Sequence, residues 1–289
     1  MESVANPSPE AAAGLQERTR LSPSRATDFK TCPLLFKFRV VDQLPEPPDP
    51  ASARGTLVHS VLERLFGLAG PERTVASARA LLAEVWQELQ EAPDFPELAP
   101  VLGEAAEWLA TAEKLLVNYF RVEDPRQIEI HELEWWVEHE TERTLLRGII
   151  DRVQILPDGE WMLVDYKTGA SPSENYALDK FFGLRFYALV CWRAFGKLPR
   201  ELRLVHLREP VVLSLVPTPR MLEGLERQLE AIADAIRRAH ERDDWRPRRG
   251  TMCSWCPHKA VCPAWADEPA VSESPKLLEG EAVGAAQTA

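Results

Sequence analysis

The sequence predicts an α/β (α+β) domain in which helices precede and follow a central mixed sheet. Three observations predict this class. A chain of 289 residues with 45% hydrophobic residues can bury a large core. Amphipathic helical segments lie in the first and last thirds, and the middle third is rich in β-branched and aromatic residues. We expect one domain over residues 21–266, between disordered tails at 1–20 and 267–289 that are rich in Ala, Pro, Glu and Ser.

The first part of the domain is predicted to be helical. A proline-rich loop at 45–53 precedes the segment 54–70, whose apolar residues form one continuous arc at about 100° per residue. His59 lies at the border of that arc. Two more amphipathic helices are expected near 75–90 and 98–121.

The remaining elements alternate between strand and helix patterns. Strands are expected near 127–139, 144–156 and 160–168, a helix near 176–195, short strands near 202–208 and 211–216, and a long helix near 219–242.

The net charge of −11 disfavours a protein that simply coats DNA, although a nuclease can be acidic because its metal-binding carboxylates add negative charge. No apolar run approaches the roughly 20 residues of a membrane span. Residues 1–20 lack the apolar centre of a signal peptide. We therefore expect no membrane association and a cytoplasmic, nucleoid-associated protein. Five cysteines in a reducing compartment favour metal or cluster ligation over disulfides.

A predicted hairpin brings two carboxylates together. The loop Pro157-Asp158-Gly159 has the residues of a three-residue hairpin connection. That connection pairs Leu156 with Glu160, and counting back places Asp151 opposite Asp165. Directly paired residues share a face, with Cβ atoms roughly 5 Å apart.

Two facing carboxylates on an otherwise apolar surface, which would also carry Ile149 and Val153, are unfavourable unless a cation lies between them. Hard oxygen ligands suit Mg²⁺ or Mn²⁺. Lys167 would point into the same pocket, where it could orient or help to deprotonate a water, or offset charge in the transition state. The alternative is a local Asp165–Lys167 ion pair with an unrelated Asp151.

Three motifs resemble the RecB-type branch of the PD-(D/E)XK nuclease superfamily. They are Arg54-Gly55-Thr56-Leu57-Val58-His59, Gly148-Ile149-Ile150-Asp151 and Asp165-Tyr166-Lys167. The resemblance implies a restriction-endonuclease-like core and Mg²⁺ or Mn²⁺ held by His59, Asp151, Asp165 and the carbonyl of Tyr166. It places Lys167 at the attacking water.

One family motif is incomplete. A helix bearing Q-x-x-x-Y usually follows, and here Tyr187 is present while Gly183 stands at the glutamine position. Arg185 or Lys180 could compensate for the missing side chain.

Four cysteines suggest a second metal group. Cys253-x2-Cys256-x5-Cys262 and the distant Cys32 offer four thiolates, which suit zinc or iron–sulfur. The spacing resembles iron–sulfur members of the same family, namely AddB-type C-terminal domains and CRISPR-associated exonucleases, and this resemblance, over about 21–265, implies a 4Fe-4S cluster that joins the two ends of the domain. Cys191 lies in an apolar helical run and is interpreted as a core residue.

A basic segment precedes the cysteine trio. Residues 236–250 contain six arginines and three acids. Together with the basic residues around Cys32, they predict a patch for DNA phosphates. The DNA-binding candidates are Arg54, Tyr187, Arg246, Arg248 and Arg249, and the residues around Cys32 are Arg25, Lys30, Lys37 and Arg39. Trp255 is the tryptophan expected to stack on a base.

These observations predict a metal-dependent DNA exonuclease that hydrolyses phosphodiester bonds at single-stranded or duplex ends, in repair or recombination. No G-x4-G-K-[ST] is present, so a helicase would come from another chain. Two alternatives remain open: an iron–sulfur DNA-binding or scaffolding subunit with weak or no catalysis, suggested by Gly183, and a nuclease-like fold with a structural role.

Overall fold

A computed structural model of the chain describes residues 18–170 and 177–266. Six strands form one mixed sheet: β1 (Thr19–Leu21), β2 (Ile130–Glu140), β3 (Thr144–Ile155), β4 (Trp161–Lys167), β5 (Glu201–His206) and β6 (Val211–Leu215). The sheet order is β1-β3-β4-β5-β6, and β2 also pairs with β3. The β1–β3 and β4–β5 pairs are parallel and the others are antiparallel.

Strand β3 is the centre of the sheet. It pairs with β2 along most of its length, while β1 contacts its beginning and β4 its end. The pairing with β4 ends at Arg152↔Val164, one position before Asp151 and Asp165. The two strands therefore separate where the candidate ligands lie.

The described residues form nine α-helices: α1 (Pro23–Thr31), α2 (Pro33–Phe36), α3 (Pro50–Gly67), α4 (Val75–Glu91), α5 (Phe95–Leu98), α6 (Ala105–Val122), α7 (Ala177–Lys180), α8 (Phe182–Phe195) and α9 (Pro219–Arg242). A short π-helix at Lys37–Val41 follows α2. None of the helices in this part of the chain is both long and apolar enough to cross a membrane.

The sheet separates two hydrophobic cores. Alternate residues of β4 face opposite sides, so Leu163 packs with helices α1, α8 and α9, while Val164 packs with α3, α4 and α6. This division follows from the period of two in the strand and the apolar arcs of the helices. The α/β (α+β) class with a central mixed sheet is confirmed.

Several boundaries differ from those expected. Helix α3 begins at Pro50, inside the expected loop, because Asp49 caps it by accepting hydrogen bonds from Ala51 and Ser52 N–H. The expected tail reaches residue 20, but Thr19 and Arg20 belong to β1. The other tail residues, 1–17 and 267–289, lie outside the described part, as does residue 176 of the expected helix at 176–195.

Candidate active site

The hairpin between β3 and β4 has the expected register. The Gly159 N–H donates to the Leu156 carbonyl at 2.8 Å, and the Leu156 N–H donates to the Glu160 carbonyl at 2.9 Å. Gly159 has φ of 80°, which glycine adopts without strain. The register then places Asp151 and Asp165 in adjacent positions just beyond the paired residues. The Asp151 carboxylate accepts a 2.8 Å hydrogen bond from the Tyr166 N–H.

The expected alternation of β3 is wrong at one point. Ile149 was expected to share the apolar face of Asp151 and Val153, but it is 43% exposed. Instead, Ile150 packs in the same core as Val153. The alternation therefore shifts between these residues, where β3 changes its partner from β1 to β4.

Helix α3 brings His59 to the end of β4. Its Nε2 lies 3.1 Å from the Tyr166 carbonyl oxygen, and its Nδ1 lies 3.5 Å from Asp151 Oδ2. Gly55, one turn earlier, allows this approach, because a Cβ there would lie 3.1 Å from Thr168 Oγ1. The first sequence motif, which ends at His59, is therefore in direct contact with the third motif at Tyr166.

Glu134 completes a ligand cluster that the sequence reasoning missed. In the part of the chain that the structure describes, one group of potential ligands has all its ligand atoms within 4.8 Å of one another: His59, Glu134 and Asp151. Glu134 has φ of 43° within β2. The β2–β3 register, with Leu133↔Arg152 on one side and Trp135↔Ile150 on the other, places it opposite Asp151. Counting back from the Thr141–Thr144 turn would have found it.

Asp165 lies beside this cluster and not within it. Its Oδ2 is 2.6 Å from Lys167 Nζ. That oxygen is buried and, among the described residues, accepts no hydrogen bond of normal geometry. Asp165 was expected to be a ligand together with Asp151, and this stays a prediction. In this structure its carboxylate contacts Lys167, the lysine that was expected to act beside it.

Burial and like charge control the protonation of the cluster. Burial and the neighbouring Asp165 raise the pKa of Asp151 well above its usual value. Burial, with Glu63 and Asp165 adding to it, raises the pKa of Glu134. For His59, burial lowers the pKa and keeps the imidazole neutral, as a ligand requires. A divalent cation would reverse the repulsion that raises the two carboxyl pKa values. Neutral imidazole plus two carboxylates therefore fits Mg²⁺ or Mn²⁺.

Lys167 is held in its charged form. Burial alone would lower the pKa of its ammonium group, but close contact with the charge of Asp165, together with the charge of Asp151, outweighs burial and raises it. This state suits an electrostatic role near a phosphate better than proton abstraction.

Tyr187 packs against the second motif. A Cβ at Gly148 would lie 2.6 Å from Tyr187 Cε1, so only glycine permits this contact. Gly183, one turn before Tyr187 in α8, has free space, since a Cβ there would approach only Pro23 Cβ, at 3.9 Å. Arg185 projects from nearly the opposite side of the helix, so it does not replace the glutamine.

The four predicted ligand cysteines line one cavity of about 230 Å³ between α2 and the C-terminal loops: Cys32, Cys253, Cys256 and Cys262. Cys32 Sγ accepts from the Arg248 N–H at 3.3 Å, and Cys253 Sγ accepts from the Gly250 N–H at 3.4 Å. Cys191 is fully buried in the core, as expected from its apolar run.

A second connection joins the cysteine loop to the N-terminal part. His258 Nε2 lies 2.9 Å from Glu46 Oε1, and the same carboxylate accepts from Arg39. Arg39 also donates to Asp28. This chain of contacts was not expected, because the sequence does not show which acids meet which bases.

Most residues of the expected basic patch form ion pairs or hydrogen bonds within the protein. Arg246 pairs with Asp244, Arg248 donates to the Lys30 carbonyl, and Arg249 donates to the Ala264 carbonyl. Arg249 also lies 4.2 Å from the Trp265 ring centroid. Lys37 and Arg39 are paired with acids as well. Arg248 and Arg249 therefore stabilise the cysteine loops, and their proposed contact with DNA is not needed to explain them.

The comparisons with known proteins agree with this geometry. A comparison with curated protein sequences gives no match. Among solved structures, a protein from Eubacterium rectale described as a "putative exonuclease" has a TM-score of 0.55 at 14% identity, over 89% of this chain and 94% of that one. The structure of SSO0001 has a TM-score of 0.37 at 14% identity, over 89% and 91%. The first likeness shows a shared fold. The sequence profile of the PD-(D/E)XK nuclease superfamily matches residues 20–263, and the chain belongs to that superfamily.

Proposed function

We propose that this protein is a Mg²⁺- or Mn²⁺-dependent DNA exonuclease of the RecB type. The observation that carries the proposal is the convergence of His59, Glu134 and Asp151 within 4.8 Å, beside the Asp165–Lys167 pair. Ligands from a helix and two strands meet at the point where the sheet opens. Membership of the nuclease superfamily and the fold shared with a protein described as an exonuclease support the same reading.

Different residues of the site would bind the cation and orient the attacking water. His59, Glu134 and Asp151 would hold the cation, and the Tyr166 N–H fixes the orientation of the Asp151 carboxylate. When bound, Mg²⁺ or Mn²⁺ stabilises the negative charge that develops on the phosphate oxygens. Asp165 positions the Lys167 ammonium group, which adds positive charge on the same side and orients the attacking water.

The test is degradation of end-labelled single-stranded and duplex DNA with Mg²⁺ or Mn²⁺. We expect wild type to release labelled nucleotides, and Asp165→Ala and Lys167→Ala to lose this activity. Asp158→Asn and Lys114→Ala, which change exposed residues outside the cluster, serve as matched controls. Degradation that persists in both site variants would contradict the assigned site.

The alternative is a scaffold that binds DNA without cleaving it. Gly183 favours this alternative, since the side chain that the family carries there is missing. Absence of cleavage by wild type on every substrate, with DNA binding retained, would select it.

We further propose that the cysteine cavity holds a 4Fe-4S cluster. Backbone N–H groups point at two of the sulfurs, as at cluster sites. Four thiolates lining one cavity would also suit tetrahedral zinc. The resemblance of the cysteine spacing to iron–sulfur members of the family favours the cluster.

Iron analysis and absorbance at about 400 nm after anaerobic purification test this assignment. Cys32→Ala is expected to lose iron and to lower the melting temperature, since it removes the only ligand from the N-terminal part. Cys191→Ala, outside the cavity, should keep iron. Zinc in place of iron, or Cys32→Ala protein with full iron content, would contradict the proposal.

The setting that follows is DNA-end processing in repair or recombination, at the nucleoid in the cytoplasm. The chain has no phosphate-binding G-x4-G-K-[ST] motif, so unwinding would require a helicase from another chain.

A further inference from the structure

An exposed tryptophan lies on the sheet face next to the ligand cluster. Trp136 in β2 is 51% exposed, and the Arg147 guanidinium carbon lies 5.6 Å from its ring centroid. Ile149, which pairs with Trp136 across β2 and β3, is 43% exposed. Large apolar groups clustered at a surface in this way mark binding sites more often than isolated ones do.

Three arginines at or near this surface have no acidic partner in the part of the chain that the structure describes. Arg20, Arg25 and Arg147 lie close enough to influence one another, and none of them forms an ion pair among the residues that the structure describes. Glu138 is opposite Arg147 in the β2–β3 ladder, yet no ion pair joins them. Burial, and then the charges of Arg147 and Arg20, lower the pKa of Arg25. An anion at this surface would relieve that repulsion.

Apart from Arg20, these residues line one cleft beside the strands that carry the ligand cluster. Arg25, Trp136, Arg147, Ile149 and Tyr187 line a cleft of about 430 Å³. Trp136 is two residues from Glu134 in β2, and Ile149 is two residues from Asp151 in β3. Residues two apart on a strand lie about 7 Å from each other, so the cleft is close to the ligands. Tyr187 lines the cleft and contacts Gly148, three residues before Asp151 in β3, so it lies between the cleft and the ligands.

We propose that this cleft binds an unpaired segment of the DNA substrate, with one base stacked on Trp136 and phosphates bound by Arg147, Arg25 and Arg20. This inference deepens the proposed function and rests on it for the identity of the substrate. An aromatic ring face recognises a base only when that base is unpaired, and arginines without acidic partners suit a polyanion. The cleft therefore selects a single strand over an intact duplex.

The test measures binding apart from cleavage. Fluorescence polarisation of a labelled oligo-dT about 20 nucleotides long, in metal-free buffer, reports affinity without hydrolysis. We expect Trp136→Ala to weaken binding by about 5- to 150-fold, the range of one base–aromatic contact. Trp136→Phe should keep most of the affinity, because the ring remains. Arg147→Gln should reduce the slope of log Kd against log salt by about 0.7.

Matched controls use the same residue types elsewhere. Arg227→Gln removes an exposed arginine of α9 and should not change oligo-dT affinity. Trp255→Ala removes the 83% exposed tryptophan that the sequence suggested for stacking, and loss of affinity there but not in Trp136→Ala would overturn the inference. Circular dichroism melting verifies that each variant is folded. Wild-type affinity in both Trp136→Ala and Arg147→Gln, or equal binding of single strand and duplex, would overturn the inference.

Failure of this inference is distinct from failure of the proposed function. If wild type binds oligo-dT through Trp136 but cleaves nothing with Mg²⁺ or Mn²⁺, the binding cleft is supported and the exonuclease activity is contradicted. If wild type cleaves DNA and Trp136→Ala keeps the wild-type affinity for oligo-dT, the exonuclease activity is supported and the binding cleft is contradicted.

Discussion

Arg152 donates a 2.8 Å hydrogen bond to the hydroxyl of Tyr166, and both side chains are buried behind the strands that carry Asp151 and Asp165. Each residue directly follows one of the two aspartates. Arg152 also forms two 2.9 Å hydrogen bonds to the buried Glu123 carboxylate. The contact therefore joins β3 and β4 next to the point where their backbone pairing ends, and helps to set the geometry of the site on the other face.

Arg152→Met is expected to destabilise the fold by about 3–5 kcal/mol, because it leaves the Glu123 carboxylate buried without its strongest partner. Urea denaturation measures the change in free energy of unfolding. Arg126→Met, which removes an exposed partner of Asp124, should leave the stability unchanged. The double variant Arg152→Met with Glu123→Leu should recover part of the loss. Equal stability of Arg152→Met and wild type would contradict the role of this network.

Glu134→Gln tests the ligand that the sequence motifs did not indicate. Loss of one of the three ligands should weaken Mn²⁺ binding. It should also slow DNA cleavage by about 100-fold or more, which corresponds to about 2.7 kcal/mol of activation free energy. Titration calorimetry with Mn²⁺ measures the first effect. Glu138→Gln is the control, because Glu138 lies on the same strand outside the cluster. If both variants bind Mn²⁺ as wild type does, Glu134 is not a ligand.

The stability of the metal-free protein should depend on pH through Asp151. Its pKa is raised in the fold, so the folded chain holds a proton that the unfolded chain releases above its ordinary pKa of about 3.9. Stability therefore falls as pH rises through the interval between the two pKa values. Mn²⁺ binds the ionised carboxylate, so its affinity should rise over the same interval.

Melting temperatures at about pH 5.5 and pH 8, with and without Mn²⁺, measure both effects. Asp151→Asn should flatten the metal-free pH dependence and remove most of the Mn²⁺ stabilisation. Metal-free wild type that is more stable at the higher pH, with Asp151→Asn showing the same trend, would contradict the assignment.

Gly183→Gln restores the family side chain at a position with space for it. Gly183 lies in the first turn of α8, so replacing it should add less stability than the roughly 0.5–1 kcal/mol expected in a helix interior. If the cleavage site is otherwise complete, the glutamine, one turn from Tyr187, should also raise the cleavage rate. Gly224→Gln in α9 separates the two effects, since it should add stability without changing cleavage. An increase in the cleavage rate of the same size in both variants would show that stability alone is responsible.

Local sequence patterns predicted the hairpin well. The loop Pro157-Asp158-Gly159 determines the register by its own turn geometry, so the neighbouring positions of Asp151 and Asp165 could be counted without a structure. Gly55 and Gly148 were recognised in the sequence only as members of the first and second motifs. Their physical reason, contact with Thr168 and Tyr187, appeared only when the helices were in place.

Charge pairing was the least predictable feature. The arginines near residue 248 formed a basic patch in the sequence, but Arg246, Arg248 and Arg249 contact Asp244 and two backbone carbonyls. Conversely, Trp136 was one of nine tryptophans and carried no signal of its own. Its exposure depends on which helices cover the β2–β3 face, which no local pattern reports.

By itself, the sequence determined the mixed-sheet class, the hairpin register, the three motifs and the cysteine spacing, because each depends on backbone geometry over a few neighbouring residues. Only the tertiary structure decided that Glu134 joins His59 and Asp151, that Asp165 contacts Lys167, and that Arg20, Arg25 and Arg147 have no acidic partner within residues 18–170 and 177–266. These relations depend on how β3 changes partners and where the helices pack, and both are set by contacts between residues distant in the chain.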